Sequence, residues 1–346
     1  MSPIGRGVLL AALAAVAFGI TTPVVAWAGR GVGSFATAAL LYLGAALAAV
    51  LLRAIEHRSD TPLRRSDLAR VLAVAIVGGA VAPTLLAWGL QRSGATIGAL
   101  LLNLEAVFTV LLARAFFREP IGARVGLAVA AMVAGGIALT LDTWRDASWG
   151  VLGIAAVAGA TAAWAADNTL TRPLAERDAR EVVAGKGGLG ALLTTVTALA
   201  AGDAWPSWPA ALVLLGCGAT GYGLSLRLYL LAQRRIGAGR TGSVFALAPF
   251  IGAALGFALG DRGAGAGTLA AAVLFALGVY LHVTERHAHA HAHEPLDHDH
   301  LHRHPDEHHE HAHDPPFVGE HAHPHRHEHL EHQHEHAPDV HHHHVH

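Results

Sequence analysis

Ten stretches of about twenty apolar residues follow one another through the first 286 residues. A chain of that kind has few options beyond a bundle of membrane-spanning helices, because lipid offers the backbone no hydrogen-bond partner. The stretches fall near 7–29, 33–52, 68–90, 95–113 and 122–141, then near 149–171, 182–201, 210–231, 239–259 and 264–284. Only 14% of the chain is charged, against about 25% in a soluble domain. Much of that charge lies at the end: residues 287–346 hold 25 of the 27 histidines and 12 of the 26 acidic residues. The expectation is an all-α, multi-pass protein of the lipid bilayer, followed by a polar tail that lacks the apolar residues to build a core and is disordered. The first stretch follows Arg6 as a secretory leader would, but it has a counterpart in the second half and is read as a helix that stays. Cys217 is the only cysteine, so no intrachain disulfide forms.

The two halves resemble each other. "AWGLQRSGATIGALL" (87–101) and "YLLAQRRIGAGRTGSVF" (229–245) share Gln-Arg followed by Gly-Ala, and Glu119 and Asp261 then stand 142 residues apart. "GVLLAAL" from Gly7 likewise matches "GVLGIAA" from Gly150. Repeats of five helices, an odd number, place the second copy inverted in the bilayer, as in many secondary transporters. The expected units are 1–145 and 146–286, each a five-helix repeat, and the tail 287–346.

Basic residues orient this topology. The face that carries both ends of the helical part receives 17 Lys and Arg, and the other face four: Arg30, Arg92, Arg145 and Arg262. The positive-inside rule then puts both termini in the cytoplasm of a cell (inner or plasma) membrane. Trp27, Trp88, Trp144, Trp149, Trp205 and Trp208 fall at the opposite interface, where amphipathic rings anchor. Gly252, Gly256 and Gly260 recur every four residues on helix nine, a spacing that lets helix backbones approach in lipid.

Two five-helix repeats, each with an acid after its fourth helix (Glu119, Asp261), resemble the EamA-type transporters of the drug/metabolite transporter superfamily. "APFIGAALGFALGD" (248–261) is similar to that family's proline-to-acid segment, and the first repeat departs from it, with Glu105-Ala106 at the proline position. "AAWAADNTLTRPLA" (162–175) resembles the start of the second repeat, with Trp164 at the aromatic position. The resemblance covers residues 5–284 and implies a secondary carrier, often an exporter, with a central cavity between the repeats.

Ionisable groups at membrane depth are costly and face a cavity or a partner. Glu105, with Asn103 two residues earlier, stands mid-way along helix four, Asp167 and Asn168 on helix six, and Arg227 on helix eight. Glu105 or Asp167 is a candidate proton or cation site, and Arg227 a candidate anchor for a substrate carboxylate; a structural Asp167–Arg227 pair is the alternative. Pro23, Pro83 and Pro249 interrupt backbone hydrogen bonding inside spans. With Trp88, Gln91 and Tyr222 near them, these segments are candidates to line the cavity, kinked packing being the alternative.

In the tail, "HAHAHAH", "HDHLHRH" and "HAHPHRHEH" space imidazoles two apart, which puts them on one side of an extended chain. The expected ligands for Zn, Ni, Co or Cu are His287, His289, His291, His293, His298, His300, His302 and His304. His321, His323, His325, His327 and His329 complete the set, although the site is statistical rather than preorganised. A pH-responsive tail is the rival reading.

No phosphate loop, nucleophile elbow or zinc-protease motif appears, so the chain is not read as an enzyme, and nothing points to nucleic acid. Transport without a nucleotide motif draws on a gradient. The favoured cargo is a small organic metabolite moved outward; the alternatives are export of Ni, Co or Zn, and a membrane metal sensor that transports nothing. A homodimer is a candidate assembly.

Overall fold

The computed structural model describes residues 3–55, 61–117, 121–144, 148–174, 177–261 and 265–284, and in the tail 288–293, 296–303, 320–327 and 330–335. Among the described residues ten helices are long and apolar enough to cross a membrane. They are α1 (Gly5–Ala28), α2 (Ser34–Ile55), α3 (Arg65–Ser93), α4 (Ala95–Phe116) and α5 (Ala123–Asp142). The second half gives α6 (Gly150–Thr171), α7 (Ala179–Ala201), α8 (Trp208–Gln233), α9 (Arg240–Ala258) and α10 (Ala266–Val283). Leu51, Phe116, Leu199 and Leu269 lie exposed on outward surfaces, as lipid-facing side chains do.

Every helix of the first half packs against the second. α1 lies on α8 and α9, α2 on α7 and α8, α3 on α6, α4 on α6 and α9, and α5 on α10. The main pairings map onto themselves when each helix is exchanged for the one five later. Close approach rests on glycine: a Cβ on Gly252 would stand 2.9 Å from the Gly19 carbonyl oxygen, and one on Gly89 2.8 Å from that of Gly153. Gly256 likewise meets the Thr96 nitrogen of α4 at 3.1 Å, whereas Gly260 has left the helix with φ +97 and meets nothing. The row of three expected on helix nine is thus a packing pair followed by a turn glycine.

Three aspartates close one face. Each ends one helix and caps the start of another, where backbone N–H groups have no intrahelical acceptor. Asp261 Oδ2 accepts from the Thr96 N–H at 2.7 Å. Asp203 Oδ2 accepts from the Phe35 and Ala36 N–H groups at 2.9 and 3.1 Å. Asp142 Oδ2 accepts from both the N–H and the hydroxyl of Thr268 at 2.9 Å. Glu119, which the sequence pairs with Asp261, lies outside the described residues. On the face that holds the ends of the bundle, Glu181 pairs with Arg53 at 2.9 Å and accepts from the Leu63 N–H at 2.7 Å. Arg177 pairs there with Asp67 at 2.9 Å. Asp178 caps α7 and pairs with Arg180 at 2.7 Å. Burial pushes the Asp178 carboxyl up, but hydrogen bonds from Arg180 and the charges of Arg180 and Arg53 outweigh it and hold the group below its ordinary value. Its stabilising contribution is therefore present above the unfolded value of about 3.9 and is lost as the pH falls through the lowered one.

Four helices are discontinuous, at matching places in the two halves. α3 carries a π-helical segment at Ala75–Val81 and α8 another at Gly218–Leu224, 143 residues later. In each, the residue that follows donates five positions back, Ala82 to Val77 and Ser225 to Thr220. α4 breaks at Leu102–Asn103, where Leu102 and Asn103 donate three positions back, and α9 breaks at Ala246–Leu247, just before Pro249. α1 runs through Pro23 without a break, although the proline removes one donor from its ladder.

In the tail, β1 (Ala288–His293) pairs antiparallel with β4 (Leu330–Glu335), and β2 (Leu296–Arg303) with β3 (Glu320–His327). Alternation at a period of two is a strand pattern even where no apolar face exists. The register sets His289 opposite His334, His291 opposite His332, His298 opposite His325, His300 opposite His323 and His302 opposite His321. His287, His304 and His329 lie outside the described residues.

Replacing Asp203 by alanine removes both the acceptor and the charge at the start of α2. It should cost about 1–2 kcal/mol and lower the Tm of the detergent-solubilised protein, with Asp203→Asn recovering part of the loss. An unchanged Tm in a thermal-shift assay would show that the cap is dispensable.

Candidate functional site

The π segment of α3 creates the centre of the molecule. Ala82, which would donate to Gly78 in a regular helix, donates to Val77 instead, and the next residue is Pro83, which has no N–H. The Gly78 carbonyl is therefore left without a donor from its own helix. Two side chains from other helices supply one: the Tyr42 hydroxyl of α2 and, at 3.3 Å, the Trp164 indole of α6. A Cβ at position 78 would collide with the Asp167 carboxylate, so glycine there admits the acid against the α3 backbone.

Asp167 is 2% exposed and forms a salt bridge with Lys186 of α7, itself 7% exposed. This corrects two expectations. Lys186 belongs to the buried centre rather than to the cationic rim, because Gly185, Gly187 and Gly188 flank it and Gly187 brings the α7 backbone against Tyr42 and Ala46 of α2. The salt bridge of Asp167 is made with Lys186, not with Arg227, which stands half-buried on α8. Asp167 Oδ1 and the Thr171 hydroxyl one turn on are both buried without a hydrogen bond.

Glu105 lies in the first turn of the helical piece that resumes after the break in α4. It accepts a hydrogen bond from the Asn168 amide at 2.6 Å. Asn168 is exposed and Glu105 half-buried, so this pair is open at its rim while the Asp167–Lys186 pair behind it is closed. The charges that act on Glu105 are those of Asp167 and Lys186. Asn103 is 4% exposed and spends its amide on the Leu100 carbonyl at 2.9 Å, closing the broken turn.

Aromatic rings wrap the cluster. Tyr222, in the π segment of α8, has its centroid 5.5 Å from Tyr42, 6.3 Å from Trp164 and 5.8 Å from Phe18. Phe245 stands 5.6 Å from Phe18 and 5.1 Å from Tyr229. Tyr229 and Phe245 are 16 residues apart in a helical run that a straight helix would stretch over about 24 Å, so the chain reverses between α8 and α9.

Of the expected site residues, the structure brings Glu105, Asp167, Asn168 and Tyr222 into one cluster. Trp88 and Gln91 sit elsewhere, about 15 Å or more along α3 from Gly78 at 1.5 Å per residue. Gln91 donates to the Val32 carbonyl at 2.9 Å, and the Arg92 guanidinium lies 3.6 Å from the Trp88 ring. Gln91 thus braces the α1–α2 connection. Sequence reasoning missed Lys186, Tyr42 and Tyr229; the glycines around Lys186 were the available signal.

Residues 5–141 match the model of the EamA-like transporter family. A curated protein of Methanothermobacter thermautotrophicus (strain Delta H), named "Uncharacterized transporter", is 27% identical over 217 residues. That match covers 60% of this chain and spans 62% of the relative's length. A solved structure described as "Crystal structure of protein" superposes with a TM-score of 0.57 at 18% identity, covering 80% of this chain and 94% of that one. At that identity the likeness speaks for the fold alone.

Lys186→Met leaves Asp167 buried with no cationic partner, a change that costs about 3–5 kcal/mol. It should lower the Tm sharply, and the paired change with Asp167→Asn should restore much of the loss. A double variant no better than the single would show that the two residues are not coupled.

Proposed function

From the match of residues 5–141 to the EamA-like transporter family model, we propose that this chain is a gradient-driven carrier that exports a small organic metabolite. Its translocation site is the cluster of Glu105, Asn168, Asp167 and Lys186. The chain is a multi-pass membrane protein of ten helices. The observation that carries the reading is the placement of this cluster: ionisable groups at membrane depth, between α4, α6 and α7, with Glu105 reachable at the rim. Such groups mark ion and substrate paths in membranes. The carrier follows the drug/metabolite transporter plan and lies in the cell membrane with both termini cytoplasmic. α4 and α9, broken at matching positions, flank the path, and Glu105 is its proton or cation carrier.

The tail is proposed as a cytoplasmic binder of transition metals, because 25 imidazoles in its 60 residues supply ligands for Zn, Ni, Co or Cu. The same tail favours a second reading, in which the cargo is a metal ion that the tail collects. The bundle favours it less: among the described residues no three His, Cys, Asp or Glu side chains come together as a metal site.

Growth of a deletion strain on graded Ni, Co, Zn and Cu separates the two cargos, with the full chain or residues 1–286 restored. The organic reading expects indifference to all four metals; sensitivity to one of them, relieved by the full chain, selects metal export. Right-side-out vesicles treated with protease should keep the tail, and its removal would reverse the orientation. If Glu105 carries a proton, Glu105→Gln should abolish the pH dependence of transport in proteoliposomes; an unaltered pH profile would remove it from that role.

A further inference from the structure

Two carboxylates and one ammonium meet between α4, α6 and α7. Lys186 answers Asp167, and Glu105 receives the neutral amide of Asn168. Asp167 Oδ1, on a residue 2% exposed, is without a strict hydrogen bond, and so is the buried Thr171 hydroxyl one turn on, which is the donor that acts on this carboxylate. With both carboxylates ionised, the set is one positive charge short among these described side chains, a deficit that is costly away from water. Neutral groups packed around it include Tyr42 from α2, the Gly78 backbone from α3, Trp164 from α6, and Tyr222 and Tyr229 from α8, the helix that also carries the half-buried Arg227. Tyr229 feels the charge of Glu105 and, with Phe245 at 5.1 Å, forms a half-buried aromatic pair.

We propose, on the footing that the chain is an organic-solute carrier, that this site takes an organic cation, an ammonium on an apolar or aromatic body. The positive group sits between Glu105 and Asp167, and the body lies on Tyr229 and Phe245. Charge decides the class. An organic anion, or the carboxylate of a zwitterion, would meet Glu105 with the only neighbouring ammonium already committed to Asp167. A bare metal ion would find two carboxylates and an amide, and among the described residues no third His, Cys, Asp or Glu joins them. An ammonium is satisfied by both features present, since aromatic faces attract cations.

The test is equilibrium binding to the full-length protein in detergent, with three aromatic probes that differ in charge: benzyltrimethylammonium, L-phenylalanine and benzoate. Benzyltrimethylammonium should bind saturably and resist displacement by the other two. Glu105→Gln should weaken it by about tenfold or more. Tyr229→Ala should weaken it several-fold, while Tyr229→Phe keeps the affinity, a distinction that a merely structural tyrosine would not make. Absence of saturable cation binding, or affinity unchanged in both Glu105→Gln and Tyr229→Ala, overturns the proposal. Preferential binding of benzoate or L-phenylalanine overturns it too, while leaving the carrier reading intact. Proteoliposomes that move Ni and none of the three organic probes would defeat the carrier-of-organics reading itself.

Discussion

A backbone amide in lipid has no water to fall back on, and each feature of this molecule is a way of meeting that demand. Along the spans the helical ladder suffices. At helix starts it does not, and the chain sends Asp142, Asp203 and Asp261 from the ends of α5, α7 and α9 to cap α10, α2 and α4. These contacts also tie the halves together, because Asp142 reaches from the first half to the second while Asp203 and Asp261 reach back. One requirement, the satisfaction of N–H groups, therefore sets the positions of six helices at one face.

Where the ladder is broken inside a span, the same requirement builds the centre. The π offset in α3 and the missing N–H of Pro83 free the Gly78 carbonyl, and Tyr42 and Trp164 answer it. Gly78 lets Asp167 lie against that backbone, and Asp167 recruits Lys186. The break in α4 places Glu105 at the start of a short helical piece, where the dipole favours a negative group. A local irregularity of the backbone and a costly set of side-chain charges are in this protein one construction.

The sequence shows this unevenly, for physical reasons. Hydrophobic length is a strong signal, so all ten spans are legible to within a few residues. Glu105, Asp167 and Asn168 stand out because polarity is rare in their surroundings. Lys186 does not, since a lysine four residues inside an apolar stretch reads as one that reaches the interface. Tyr42 was hidden for another reason: its role depends on a carbonyl freed in a different helix, and no periodicity reports that. Trp88 and Gln91 misled because adjacency to Pro83 in sequence says nothing about depth. The alternation of histidines in the tail was legible as a period of two, and the pairing of its segments across sixteen or more intervening residues was not.

Tyr42 and Trp164 fasten α2 and α6 to a single carbonyl of α3. Turning α3 away from both would strand that oxygen, and turning α2 or α6 alone would take away one of its two donors. α2, α3 and α6 are thus mechanically locked into one block, drawn from both halves of the chain. The seam between that block and α4 runs beside Glu105, where Asn168 of α6 is exposed and donates across it.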